Sequence, residues 1–363
     1  MHKAWVQSLL LILVGSVACG EAQTLDEAVR DSRVEIEQFL VESSTPGLSI
    51  AVQLRDHVVW AEGFGLANVE FGVPVTTETL FRVGSISKAL TSAAVGLLHE
   101  RGELDLDAPV QTYVPSFPEK KYPITTRQLG GHLSGLPHYG PEDFQNFVPY
   151  SSVVAALDKF KNRQLLFRPG DQYLYSSFGF NLISAVIEGA AGESFLLFMH
   201  DEIFDPLGME HTVADDYRAV IPNRTSFYEL NASGQLGNAP FTDNSDVWAA
   251  GGFLSTPTEL VTFAHGLTTG DLLSPETLQV LFKSMTTSAG EQTGYGLGWR
   301  VRENADGQVT ISHVGGHFGA SAELVVSTSQ GLIIAVTANM SGANVAVVLN
   351  EVGKRFSTVV ERR

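Results

Sequence analysis

The 363-residue chain predicts an α+β fold: an α/β sandwich with one antiparallel sheet drawn from both chain ends and flanked by helices. A mainly helical insertion over about residues 103–290 divides that sheet. Three observations predict it. Strand-like runs occur near both ends, at 48–54 and 58–66 and again beyond 295. Between them the apolar residues recur mostly at helical spacing of three and four. At the first change from strand to helix stands Ser85-Ile86-Ser87-Lys88, after the apolar run Thr79 to Gly84.

The elements follow in order. Residues 1–23 read as a targeting segment, either a signal peptide or a lipoprotein signal. His2 and Lys3 give a weakly basic start, Val6 to Val17 an apolar stretch, and Ser16-Val17-Ala18 small residues for cleavage. The stretch is too short to cross a bilayer comfortably. Cys19, the only cysteine, sits as in a bacterial lipobox and is a candidate lipidation site and membrane attachment, although Ser16 replaces the usual leucine. Cleavage near Ala18 or Ala22 is the competing reading. Either implies export: a periplasmic or membrane-anchored lipoprotein, otherwise a secreted protein.

Residues 24–360 form the folded domain. Leu25, Val29, Ile36, Phe39 and Leu40 mark an amphipathic first helix, and Pro46-Gly47 turns the chain into a hairpin of two strands around Arg55-Asp56-His57. The second helix runs from about Ser85 to Arg101, and Gly102 closes it. Pro115, Pro118 and Pro123 keep the following region short-jointed. Thr125 or Thr126 caps a short helix to Leu133. A helix follows Tyr175-Ser176-Ser177, another covers Phe195 to Phe204, and Pro206 breaks it. Ser255 or Thr256 caps the next, with Glu259 placed for a capping box. Strands return at 295–299, 309–314, 322–327 and 332–339, and 344–360 has helical spacing.

Composition limits the function. A net charge of −17 argues against nucleic acid, whose phosphates need a basic surface. A hydrophobic content of 44% supplies a full core, and a lone cysteine excludes an intrachain disulfide framework.

Three stretches carry chemistry. A helix opening at Ser85 sets Lys88 one turn on, over the same face, so a hydroxyl nucleophile lies beside an amine base, although a serine N-cap followed by a surface lysine would explain the bare motif. Tyr175-Ser176-Ser177 places hydroxyls before a helix, where capping alone would explain the serines. His313-Val314-Gly315-Gly316-His317 ends a strand with paired glycines that admit a substrate to the backbone and supply an oxyanion donor. A metal held by His313 and His317 is disfavoured, because two glycines between them argue against the helix that such spacing needs. His132 reads as a structural histidine. No metal or other cofactor is implied.

Taken in order, Ser-x-x-Lys, Tyr-x-Ser and His-x-Gly resemble the serine β-lactamase and penicillin-binding-protein superfamily. The blocks Phe81 to Lys88, Leu104-Asp105-Leu106-Asp107, His132-Leu133-Ser134-Gly135, Gln172 to Ser176, Pro240 to Ser245 and Gly251 to Thr256 extend the resemblance over about residues 34–350. It is closest to the class C-like branch, within it to the mitochondrial β-lactamase-like serine proteases. The resemblance implies the β-lactamase/transpeptidase-like fold and an exported serine hydrolase acting on peptide, ester or β-lactam-type carbonyls.

It further implies that Ser85 is acylated, and that Lys88 takes or relays its proton. Tyr175 shuttles the proton to the leaving group, with its phenol lowered by the Lys88 cation. The N–H groups of Ser85 and Gly316 form the oxyanion hole. Ser177, His313 and Gly315 contact substrate, with Ser177 in place of asparagine and His313 in place of the lysine of Lys-Thr-Gly. Both departures favour small esters or peptides over penicillins, and a His313 that gains charge toward pH 6 would favour carboxylates. The alternative is a catalytically idle binding or scaffold protein of the same fold, assembled as a homo-oligomer.

Overall fold

The computed structural model describes residues 23–304 and 307–360. Residues 1–22 of the segment read as a targeting signal, Cys19 among them, lie outside the described residues.

Helix α1 (Leu25–Ser43) starts from a capping box in which the Thr24 hydroxyl accepts the Glu27 N–H and the Glu27 carboxylate accepts the Thr24 N–H. Strands β1 (Gly47–Leu54) and β2 (His57–Asn68) form the expected hairpin, turned at Arg55 with φ 52°. A two-residue strand β3 (Val73–Pro74) edges it. The late strands are β4 (Arg300–Glu303), β5 (Val309–His317), β6 (Ala320–Ser327) and β7 (Leu332–Ala338), followed by a C-terminal helix over Ala346–Val360. Together they make a seven-stranded sheet in the order β3-β2-β1-β7-β6-β5-β4. Its pairings are antiparallel, and β1 against β7, with Leu48 opposite Ala338, joins the two chain ends.

The sheet separates two cores. Along β7, Leu332, Ile334, Val336 and Ala338 enter a core shared with Ile36 of α1 and with Val348, Val352 and Phe356 of the C-terminal helix. Ile333 and Ala335 point the other way, into the larger core. Strand alternation therefore feeds both cores, and β7 is buried along its whole length.

Helix α2 (Ser87–Glu100) lies inside the larger core and is buried from Ser87 to Leu98. A helix buried all round is held by its surroundings on every side, which suits one that must hold a reactive group still. The intervening region is mainly helical, including α3 (Thr126–Gly130), α4 (Ser177–Ala191) and α5 (Pro257–Thr269), with short strand pairs at Phe81–Arg82, Val213–Ala214 and Phe253–Ser255.

Local expectations differ from the structure at four places. Tyr295 to Trp299 is a buried loop, and the strand begins at Arg300. A Cβ at Gly296 would come 2.1 Å from Leu281 O, and one at Gly298 2.7 Å from Lys88 O, so these glycines press the loop into the core. Glu259 does not complete a capping box: Thr256 accepts its N–H, and its carboxylate accepts from the His211 N–H and the Thr212 hydroxyl. Phe195 to Phe204 begins as α-helix and widens to a π-turn from Met199. Finally, α2 does not begin at Ser85, which sits in a preceding 3-10 turn over Gly84–Ile86.

Candidate active site

That 3-10 turn is set by Gly84, which has φ 49° and whose absent Cβ would stand 2.7 Å from the Gly316 N. Only glycine meets both demands without strain. The turn therefore lies against β5, and Ser85 and Gly316 reach the wall of one cavity of about 470 Å³.

One turn on, Lys88 has none of its surface exposed. Its Nζ lies 3.0 Å from Ser85 Oγ and donates to Ala250 O at 2.7 Å. Burial drives its pKa well below the ordinary lysine value. Among the described residues, its hydrogen bonds go to Ser85 and Ala250 and to no carboxylate. Burial without a counter-charge favours the neutral amine, whose lone pair can serve the serine hydroxyl.

Tyr175 reaches the same hydroxyl. Burial pushes its phenol above the ordinary tyrosine range, and a hydrogen bond with Ser85 pulls it partly back. Its ring centroid is 5.0 Å from Lys88 Nζ. A Lys88 cation that lowers Tyr175 does not fit this arrangement, because the same dry surroundings discharge the lysine and keep the phenol protonated. Tyr175 is thus poised to give a proton.

The loop that carries Tyr175 is fixed by His132, which is fully buried with φ 60°. Its Nδ1 accepts the Ser176 N–H at 3.2 Å, its carbonyl accepts the Leu174 N–H, and its ring lies 4.3 Å from that of Tyr175. Ser176 caps α4 by accepting the Gly179 N–H. His132 is structural.

The other sequence candidates divide. Ser177 lines the cavity and donates its N–H to His138 Nδ1. Gly315 is buried off the cavity wall, where a Cβ would be 2.0 Å from Val83 O. It lets the strand meet the Ser85 turn, and a direct substrate contact does not fit. His313 also fails as a carboxylate ligand. It is 1% exposed, with Nδ1 donating to Val314 O and Nε2 accepting from the Tyr295 hydroxyl, both at 2.8 Å. Burial, then the nearby Lys88, pushes its pKa down to about 3, so it carries no charge at pH 6. His317 lines the cavity as a neutral ring, pushed to about 3 chiefly by burial.

Sequence reasoning gave no role to Asn244, Asp246, His138 or Phe144, which also line the cavity. The block Pro240 to Ser245 was the one available signal, and it did not say which side chain would turn inward. Among the described residues, no group of three or more metal-ligating side chains converges.

Comparison with known proteins agrees in extent with this architecture. The family model described as Beta-lactamase matches residues 33–353. The mitochondrial serine beta-lactamase-like protein LACTB of Homo sapiens is 31% identical, over 86% of this chain and 77% of its own length. Penicillin-binding protein 4* of Bacillus subtilis (strain 168) is 28% identical, over 74% of this chain and 62% of its own. Among solved structures, the octameric penicillin-binding protein homologue from Pyrococcus abyssi superposes with a TM-score of 0.75 at 26% identity, over 89% of this chain and 77% of that one.

Proposed function

Because the chain belongs to the beta-lactamase family, serine hydrolases of the β-lactamase, D-peptidase and esterase type, we propose that it hydrolyses its substrate through an acyl-enzyme on Ser85. The observation that carries this reading is the fully buried Lys88 amine 3.0 Å from Ser85 Oγ, its pKa driven well down by burial.

The steps follow from the protonation states. Lys88 accepts the Ser85 proton as Oγ adds to the carbonyl carbon. Charge on the carbonyl oxygen is met by the N–H groups of Ser85 and Gly316, worth about 3 kcal/mol for one such donor. As the tetrahedral adduct collapses, the Tyr175 hydroxyl protonates the leaving group, and the proton held by Lys88 restores the phenol. A water then attacks the ester on Ser85, and the same groups act in reverse order.

Peptides and small esters fit this cavity better than penicillins. Ser177 offers a shorter group than asparagine, and His313 supplies no cation. We further read the protein as exported, through residues 1–23, with Cys19 as its candidate anchor. The octameric relative makes a homo-oligomer a fitting assembly.

The test is active-site labelling. A fluorophosphonate should modify Ser85 in the parent and leave Ser85→Ala unlabelled, inactive and folded by its melting curve. Turnover near the parental rate in a folded Ser85→Ala would overturn the acyl-enzyme.

A further inference from the structure

Asn244 is 2% exposed on the wall of the Ser85 cavity. Its Nδ2 donates to Asp215 Oδ2 at 2.8 Å. Asp215 is itself held by Arg82, 2.6 Å away, and by Arg224 at 3.2 Å. A carboxylate accepts and never donates when ionised, so this contact fixes which end of the amide is which. The NH₂ must face Asp215, and Oδ1 must face away. That Oδ1 is buried and has no hydrogen-bond partner.

Buried acceptors are nearly always satisfied, so an orphan on a cavity wall marks a place where a ligand donor belongs. The charges nearby narrow the donor's chemistry. Among the described residues, the carboxylates on this wall are Glu229, partly exposed and without a side-chain partner, and Asp246, paired with Lys159. The cavity's histidines, His138 and His317, both have their pKa lowered by burial. The basic groups beside Asn244 are each engaged already, Arg82 and Arg224 with Asp215 and Lys159 with Asp246. A carboxylate placed here would find those cations already paired and would bring no donor to Oδ1, whereas an amino group would donate to it.

We propose that Asn244 is a specificity-determining residue whose Oδ1 accepts from an amino group on the acyl part of the substrate. The substrate class is then an aminoacyl ester, amide or peptide with a free amino group. The inference rests on the acyl-enzyme reading above. With the leaving group at the Tyr175 wall, the acyl part meets the wall built by Asn244, Val247 and Ala250.

The experiment measures how two boronic acids that bond to a serine oxygen slow fluorophosphonate labelling of Ser85. One is 1-aminoethylboronic acid and the other is ethylboronic acid, which lacks only the amino group. The parent should prefer the amino compound by about ten- to a hundredfold, the size of one charge-assisted hydrogen bond. Asn244→Leu, which has no acceptor, should shrink that preference to about threefold or less. Should the leucine variant not fold, Asn244→Ala is the substitute, and the parental ratio stands as a test by itself. No preference in the parent, no competition by either compound, or a full preference kept in a folded variant would overturn the proposal. A preference retained without Asn244 would assign it to Glu229 or Asp246. If Ser85 is not labelled at all, the acyl-enzyme reading has failed instead.

Discussion

At the scale of the residue, Lys88 trades stability for reactivity. In the unfolded chain its amine titrates near about 10.4, and in the fold burial lowers it well below that. Between the two values the unfolded chain binds a proton that the native state does not, so stability rises with pH across this window and is lost as pH falls. Lys88→Met lacks this dependence. The melting temperature of the parent minus that of Lys88→Met should therefore increase from pH 6.5 to 9, while the variant loses about 10²–10⁴ in kcat. A difference that is flat with pH would mean that Lys88 stays charged in the fold. His313 has the same sign of shift but a different window: its folded value of about 3 keeps it neutral throughout the working range. Lowering the pH from 8 to 6 should thus leave the kcat/KM ratio of carboxylate-bearing to neutral substrates unchanged through His313, and a rising ratio would restore it as the carboxylate ligand. The Ser85 and Lys88 pair was legible in the sequence because a spacing of three at a helix start limits where the two side chains go, whereas Tyr175 was legible only through the family resemblance. The burial of His313 was not, because Tyr295, 18 residues away along the chain, is what occupies its outer nitrogen.

At the scale of the element, the site depends on how closely the 3-10 turn of Ser85 lies against β5. Gly84 permits that contact. Gly84→Ala asks an ordinary residue to hold φ 49° and pushes a methyl group onto the Gly316 backbone, 2.7 Å away. The turn must retreat, and a displacement of about 1 Å between nucleophile and oxyanion donor costs on the order of a hundredfold in rate. We expect kcat/KM to fall by about that factor, with a cooperative melt still present. Activity within threefold of the parent would show that the contact is not needed. The hairpin, the late strands from 309 and the helices at both ends were readable from periodicity and caps. Tyr295 to Trp299 was not: its alternating large and glycine residues look like a strand facing one core. The alternation instead serves a loop that buries Tyr295, Leu297 and Trp299 while its glycines touch other backbones. Trp299 then donates to Ser92 Oγ at 2.9 Å, bracing the helix that holds Lys88.

At the scale of the whole molecule, the sheet places catalysis and chain-end closure on opposite sides. Ser85, Lys88 and their supports belong to the larger core, and α1 and the C-terminal helix close the other. The exported state proposed for the protein makes Cys19 its candidate anchor. Cys19→Ser should then move the protein from the membrane to the soluble fraction of a bacterial host without altering its melt. Recovery of the unaltered parent in the soluble fraction would dismiss the anchor. The division itself is tested at Phe356, which is fully buried and stacks on Trp60 with ring centroids 5.9 Å apart. Phe356→Ala removes a large side chain from the core opposite the site and should cost about 3–5 kcal/mol, read as a lower urea midpoint with an unchanged slope. At 25 °C, where the variant remains folded, kcat/KM should stay within about twofold of the parent, because Phe356 packs in the core on the other side of the sheet from Ser85 and Lys88. A folded Phe356→Ala that loses tenfold or more in kcat/KM would show that the sheet transmits the cavity's strain, and that the two sides are one mechanical unit.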